Sequence, residues 1–199
     1  MGSYFLFFKK EKESTTGEST NMSNLSNIKI AIIVAYKDFR DEEYFVPRGI
    51  FDEAGATVMV VSDEIGTAQG VDGGEVNVDI KLSDLNVADF NAIVFIGGPG
   101  ALSNLDNQVA YNIAKEAVSQ NKILAAICVA PAILAKAGVL QGEKATVWTS
   151  PLDKSAKNIL EQNGAIYLDE SVVQDKNIIT ANGPNAAKDF ANKIVDALK

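Results

Sequence analysis

The amino-acid sequence predicts an α/β fold: a mainly parallel β-sheet with helices on both faces. Three observations carry this. Apolar runs of strand length recur at residues 29–35, 57–61, 92–96 and 123–127. Stretches with helical periodicity fall between them, as crossover connections in a parallel sheet require. The runs are apolar throughout rather than alternating, the pattern of strands buried on both faces.

The elements follow in order. Residues 1–27 are set apart: Gly2-Ser3 reads as a vector-derived remnant, and residues 9–27 are rich in Lys, Glu, Ser, Thr and Asn without apolar periodicity. A flexible tail is expected there, with Met22 as a candidate natural start. One domain is expected over residues 28–199. Its first strand is Lys29-Ile30-Ala31-Ile32-Ile33-Val34-Ala35, and a helix over 42–54 stops at Gly55. A strand at 57–61 leads into a Gly-rich turn region at 66–74 and a weaker alternating stretch through 80. The strand at 92–96 ends at Gly97-Gly98-Pro99-Gly100. A helix over 107–120 precedes the strand 123–127, which runs directly into Cys128. Then come a helix at 131–137, a strand at 145–148 and a helix at 152–163. Short strands at 165–168, 172–173 and 177–180 precede a closing helix at 185–198.

Composition narrows the function classes. The net charge is −8, which opposes binding to nucleic acid or an anionic membrane, since both need a positive face. The longest apolar runs fall far short of the ~20 residues that span a bilayer. The apolar run at 4–8 is shorter than the ~7–15 residues of a signal-peptide core. A single cysteine permits no intrachain disulfide and fits a reducing, cytoplasmic setting. There is no histidine at all. That removes the commonest general base, the commonest zinc ligand and every Cys-His or Ser-His dyad. No metal site and no cofactor are expected.

Three places carry candidate chemistry. Cys128 sits where a buried strand gives way to a helix, the geometry of a nucleophile elbow, at the sheet edge where open α/β folds bind ligands. The following helix start favours a thiolate. A buried structural cysteine is the alternative, and position alone leaves both open. Gly97-Gly98-Pro99-Gly100 is either a tight turn or a backbone cradle for an oxyanion. Asp41-Glu42-Glu43 opens the first helix. Helix-dipole complementarity accounts for at least two of these acids, and one carboxyl is free to turn inward to the thiol. The loop residues Asp38 and Arg40 read as a solvated ion pair. Tyr44 and Phe45 are candidates for a pocket wall or a dimer face, and Trp148 for core or pocket-wall packing. The turn after the first strand, residues 36–40, lacks glycine, so neither dinucleotide nor P-loop logic applies.

Four segments, taken together and in order, resemble the ThiJ/PfpI superfamily, which includes PfpI-type intracellular peptidases and the Parkinson-associated protein deglycase. They are Arg40-Asp41-Glu42-Glu43-Tyr44-Phe45-Val46-Pro47, with a Glu four residues before a Pro; Asn91-Ala92-Ile93-Val94-Phe95-Ile96-Gly97-Gly98; Ala126-Ile127-Cys128-Val129-Ala130-Pro131; and Ile178-Ile179-Thr180-Ala181-Asn182-Gly183-Pro184. The likeness covers about residues 29–199. It implies a flavodoxin-like three-layer sandwich of the class I glutamine amidotransferase-like kind, with a nucleophile elbow, as a homodimer. By match, Cys128 is the nucleophile or redox thiol and Glu43 its carboxyl partner. Gly98 and Val129 offer backbone N–H groups to an oxyanion, and Gly97, Trp148 and Asn182 fall at the pocket.

Departures from the family matter as much. Val129 and Trp148 stand where the two branches carry their histidines, and Asn182 where one branch has an arginine. The expected function is therefore a thiol-dependent hydrolase or lyase acting on small reactive carbonyls (glyoxalase- or deglycase-like), or an oxidative-stress thiol whose partner is peroxide. A noncatalytic binding or chaperone module is the alternative. A cysteine peptidase ranks last, because acyl transfer to an amine leaving group needs a proton donor.

Overall fold

The computed structural model describes residues 25–199. The first 24 residues of the expected tail, Met22 among them, lie outside the described residues. Leu25, three residues ahead of the boundary expected at residue 28, packs on the domain. Its side chain is buried, and its N–H donates to the Ala54 carbonyl at 2.8 Å.

In chain order the strands and helices are β1 (Lys29–Ile33), β2 (Lys37–Phe39), α1 (Asp41–Glu53), β3 (Thr57–Ser62), β4 (Thr67–Gly70), β5 (Glu75–Asn77), β6 (Ile80–Lys81) and β7 (Ala92–Phe95). Then follow α2 (Gln108–Ser119), β8 (Ile123–Ile127), α3 (Pro131–Lys136), β9 (Lys144–Ala145), α4 (Ser155–Gln162), β10 (Ile166–Tyr167), β11 (Val172–Asp175), β12 (Ile178–Ala181) and α5 (Ala187–Ala197). Seven strands form the main sheet in the order β11-β12-β8-β7-β1-β3-β6. All neighbours are parallel except β11 and β12. The expected three-layer α/β sandwich is thus the observed one.

The apolar strands divide their side chains between two cores, as alternation across a sheet requires. Ala31 and Ile33 of β1 face one layer, packed with Ile113 and Ala114 of α2, Ile133 and Leu134 of α3, and Leu160 of α4. Ile30 and Ile32 face the other, with Phe51 of α1 and Phe190 and Ile194 of α5. Both faces are covered, which is why β7, β8 and all of β1 after its exposed Lys29 are apolar. Among the described residues no helix is long and apolar enough to cross a membrane.

Several elements differ from expectation. The stretch 36–40 contains β2, which joins β4 and β5 in a small side sheet. Asp41 explains that arrangement. It is buried, and its carboxylate accepts the N–H groups of Asp72 at 2.8 Å and Gly74 at 2.6 Å, tying the Gly-rich loop to the start of α1. A π-helical segment at Ala101–Leu105 follows the glycine turn. Asn107 does not belong to α2 but caps it, accepting the N–H groups of Val109 and Ala110. The helix expected from residue 152 begins only at Ser155. Its leading residues form a loop in which Asp153 donates its N–H to Ser150 Oγ and accepts the Ser155 N–H. Leu152 in that loop is fully exposed.

The parallel register brings the carboxyl ends of β1, β7 and β8 to one edge: Ile33 lies beside Phe95, and Phe95 beside Ala126. The candidate residues the sequence singled out follow one of those ends or that of β12, or lie close beyond, except Trp148, which follows β9.

Candidate active site

Cys128 is the first residue after β8, and its backbone is left-handed, with φ at 62°. A side chain in that conformation costs roughly 1–2 kcal/mol. It is held there from both sides: the Cys128 N–H donates to Ala181 of β12 at 2.9 Å, and its carbonyl accepts the Trp148 N–H at 2.8 Å. The turn lifts the thiol out of the sheet, leaving it 8% exposed.

Gly97 and Gly98 are needed for this packing. A Cβ on Gly97 would lie 2.5 Å from the Cys128 Cβ and 2.8 Å from Glu43 Oε2. Gly98 has φ of 104°, and a Cβ there would strike the backbone of residues 38–40. The Gly98 and Val129 N–H groups lie close enough to the Cys128 sulfur to favour its ionised form, and donors so placed can also reach an oxygen that develops charge beside it.

Of the three acids that open α1, one alone faces the thiol. Asp41 holds the Gly-rich loop, Glu42 is exposed, and Glu43 is fully buried. Glu43 Oε2 accepts the Gly97 N–H at 3.1 Å. Among the described residues its Oε1 has no hydrogen-bond partner. Pro47, four residues on, has no N–H to give the Glu43 carbonyl.

Burial dominates the electrostatics of the pair. It pushes the Glu43 carboxyl up from 4.5 to about 7, against the pull of the Cys128 thiol, the Gly97 N–H and the Arg40 charge. Burial, and then the charge of Glu43, push the Cys128 thiol up from 9.0 to about 12, against the Gly98 and Val129 N–H groups. Burial thus opposes the thiolate that the short helix α3 and the backbone donors favour. Near neutral pH the pair shares between one and two protons, and the two values belong to the pair rather than to either residue. Such a pair can move a proton from sulfur to carboxylate as the sulfur attacks.

The thiol opens onto a cleft of about 400 Å³, lined by Arg40, Gly98, Pro99, Leu102, Cys128, Val129, Trp148, Asp153 and Pro184. Glu43 and Gly97 are not in that lining; they sit behind Cys128. Trp148 forms a wall, and its ring carbon Cδ1 would touch a Cβ on Gly183 at 3.4 Å. Asn182 is not in the lining either. Its N–H donates to Ser171, and Pro184 two residues on faces the cleft instead. Tyr44 is buried, edge-on to Phe39 with centroids 5.7 Å apart, and Phe45 is exposed; neither lines the cleft.

Sequence reasoning missed the cleft roles of Arg40 and Asp153. Arg40 pairs not with Asp38 but with Asp72, at 3.3 Å, across the loop that Asp41 holds. Asp153 was assigned to a helix; an acid just ahead of Ser155, after Pro151, was the signal of a later helix start.

The comparisons with known proteins agree with this fold. The sequence profile of the DJ-1/PfpI family matches residues 28–197. The chain belongs to the DJ-1/PfpI family. An uncharacterised protein of Methanocaldococcus jannaschii is 39% identical over 92% of this chain and 89% of its own length. A Pyrococcus abyssi protein named as a deglycase is 32% identical, over 84% of this chain and 98% of its own. The crystal structure of a ThiJ/PfpI domain protein from Brachyspira murdochii superposes with a TM-score of 0.81 at 36% identity, covering 85% of this chain and 95% of that one.

Proposed function

We propose that this protein is a thiol enzyme of the DJ-1/PfpI family that acts on small reactive carbonyl compounds, with Cys128 as nucleophile and Glu43 as its proton partner. The observation that carries this is the fully buried Glu43 carboxyl set against the Cys128 thiol at a strained elbow. Neither burying a carboxyl nor holding a cysteine at positive φ stabilises a fold, so both point to chemistry. The cleft of about 400 Å³ suits a compact substrate, near the small end of ligand pockets at ~300–1,000 Å³. The deglycase name of the Pyrococcus abyssi relative supports the same class.

The step balances as follows. The sulfur attacks an aldehyde carbon, forming an S–C bond while the C=O π pair moves onto oxygen. The thiol proton passes to the Glu43 carboxylate, and from there to the new alkoxide, giving a hemithioacetal. Gly98 and Val129 N–H groups stabilise the oxygen while it is charged. This route needs no imidazole, which the chain lacks. Release of an amine from a peptide does need a further proton donor, so a peptidase role is disfavoured.

The proposal includes a homodimer, supported by family membership and by exposed Phe45 and Val46 on α1. It includes a cytoplasmic location, supported by the single free thiol. The test is consumption of methylglyoxal by wild type, Cys128→Ser and Glu43→Gln. Turnover in wild type alone supports the reading. Equal turnover in Cys128→Ser, or one equivalent consumed without turnover, overturns it in favour of a binding module.

A further inference from the structure

Thiol chemistry accounts for Cys128, Glu43 and the two backbone donors, but not for the charges on the cleft wall. Among the described residues lining the cleft there is one cation, Arg40, and one anion, Asp153; the others are glycine or apolar. The Arg40 backbone is fixed beside the thiol, because its N–H donates to Gly97 at 3.1 Å. Its guanidinium is one-third exposed and makes a hydrogen bond from Nη1 to Asp72, itself 59% exposed. A guanidinium has five N–H donors in a planar fork, so this contact leaves most of its binding capacity unused. An ion pair this exposed contributes little to stability. An arginine as the one cation in a largely apolar lining is suited to a planar carboxylate, which it can bind through two parallel hydrogen bonds.

Asp153 limits the charge of that ligand. Its carboxylate accepts the Ser155 N–H and is held below the ordinary range by the hydrogen bonds from Ser155. It is therefore ionised at neutral pH and adds a negative charge to the same cleft, so a second negative charge on the ligand is disfavoured.

Building on the reading of Cys128 as the reacting thiol, we infer that Arg40 determines substrate specificity: the preferred substrate is a small carbonyl compound carrying a single carboxylate. The guanidinium takes the carboxylate and Asp153 rejects dianions, while the carbonyl carbon is presented to the sulfur.

Two alkylating probes of nearly equal size test this without requiring turnover. Iodoacetate carries one carboxylate, and iodoacetamide is neutral. The quantity read is the ratio of their rates with Cys128 in the full chain, for wild type, Arg40→Gln and Asp72→Asn. The ratio is expected to fall about threefold to tenfold in Arg40→Gln, as loss of one nearby charge implies. It should rise in Asp72→Asn, where the guanidinium loses its competitor. Added salt should compress the wild-type ratio toward that of Arg40→Gln. Equal, salt-independent ratios in wild type and Arg40→Gln overturn the inference while leaving the thiol chemistry intact. If Arg40→Gln does not fold, a wild-type ratio indifferent to salt and to Asp72→Asn overturns it equally. No reaction with either probe removes the reacting thiol, and the proposed function falls with the inference.

Discussion

Replacing Glu43 by glutamine removes the ionisable group while keeping its size, and the consequence for stability has a definite sign. In the folded protein burial raises the Glu43 carboxyl from 4.5 to about 7. A raised carboxyl binds its proton more tightly in the folded than in the unfolded chain. Its contribution to stability is therefore whole below pH 4.5 and is lost as pH rises through about 7. At about 1.4 kcal/mol per pH unit, the interval from 4.5 to about 7 corresponds to a loss of about 3 kcal/mol. Most of that falls between pH 5 and pH 8. Glutamine cannot ionise, so the variant should not share this decline. The assay is urea unfolding of both proteins at several pH values across this range, followed by Trp148 fluorescence. The free-energy difference should move steadily in favour of Glu43→Gln as pH rises. Parallel profiles would show that Glu43 is not held as a high-pKa carboxyl, and the shared-proton argument would fail.

Three other outcomes follow from the same geometry. Glu43→Gln should lower the pKa of Cys128 by removing the second cause of its elevation, yet leave it above the ordinary value because burial remains; the pH dependence of alkylation reads this, and a thiol that titrates identically in both proteins would contradict it. At position 128, glycine should be more stable than alanine by about 1 kcal/mol in chemical denaturation, the reverse of the order inside a helix or strand, because φ is 62° there. Gly97→Ala should abolish alkylation of Cys128 or slow it at least tenfold, since the new methyl group needs space that the Cys128 Cβ and the Glu43 carboxyl hold; unchanged alkylation would mean that the elbow repacks freely.

Much of the fold was legible in the sequence because its signals are local. Runs such as residues 92–96 and 123–127 are apolar at every position, and only a strand covered on both faces needs that. The four ordered segments that resemble the family carried the placement of Cys128, Glu43 and Gly98. Legibility weakened where structure depends on partners far along the chain. Strand β2 exists only because the β4–β5 ribbon pairs with it, and Asp41 looked like one more helix-dipole acid because its acceptor role is to N–H groups more than thirty residues away.

By itself the sequence determined the α/β class, the order of its elements, the placing of one thiol at a strand end and the absence of any imidazole. These are properties of composition and of spacing along the chain. Only the tertiary structure decided which of three consecutive acids meets the thiol, that Arg40 and Asp153 share its cleft, and that burial raises the proton affinity of both members of the pair. Each of these depends on burial and on distances across the fold. A carboxyl 85 residues upstream of Cys128 changes its proton affinity only once the parallel register of β1, β7 and β8 sets both at one sheet edge, out of water.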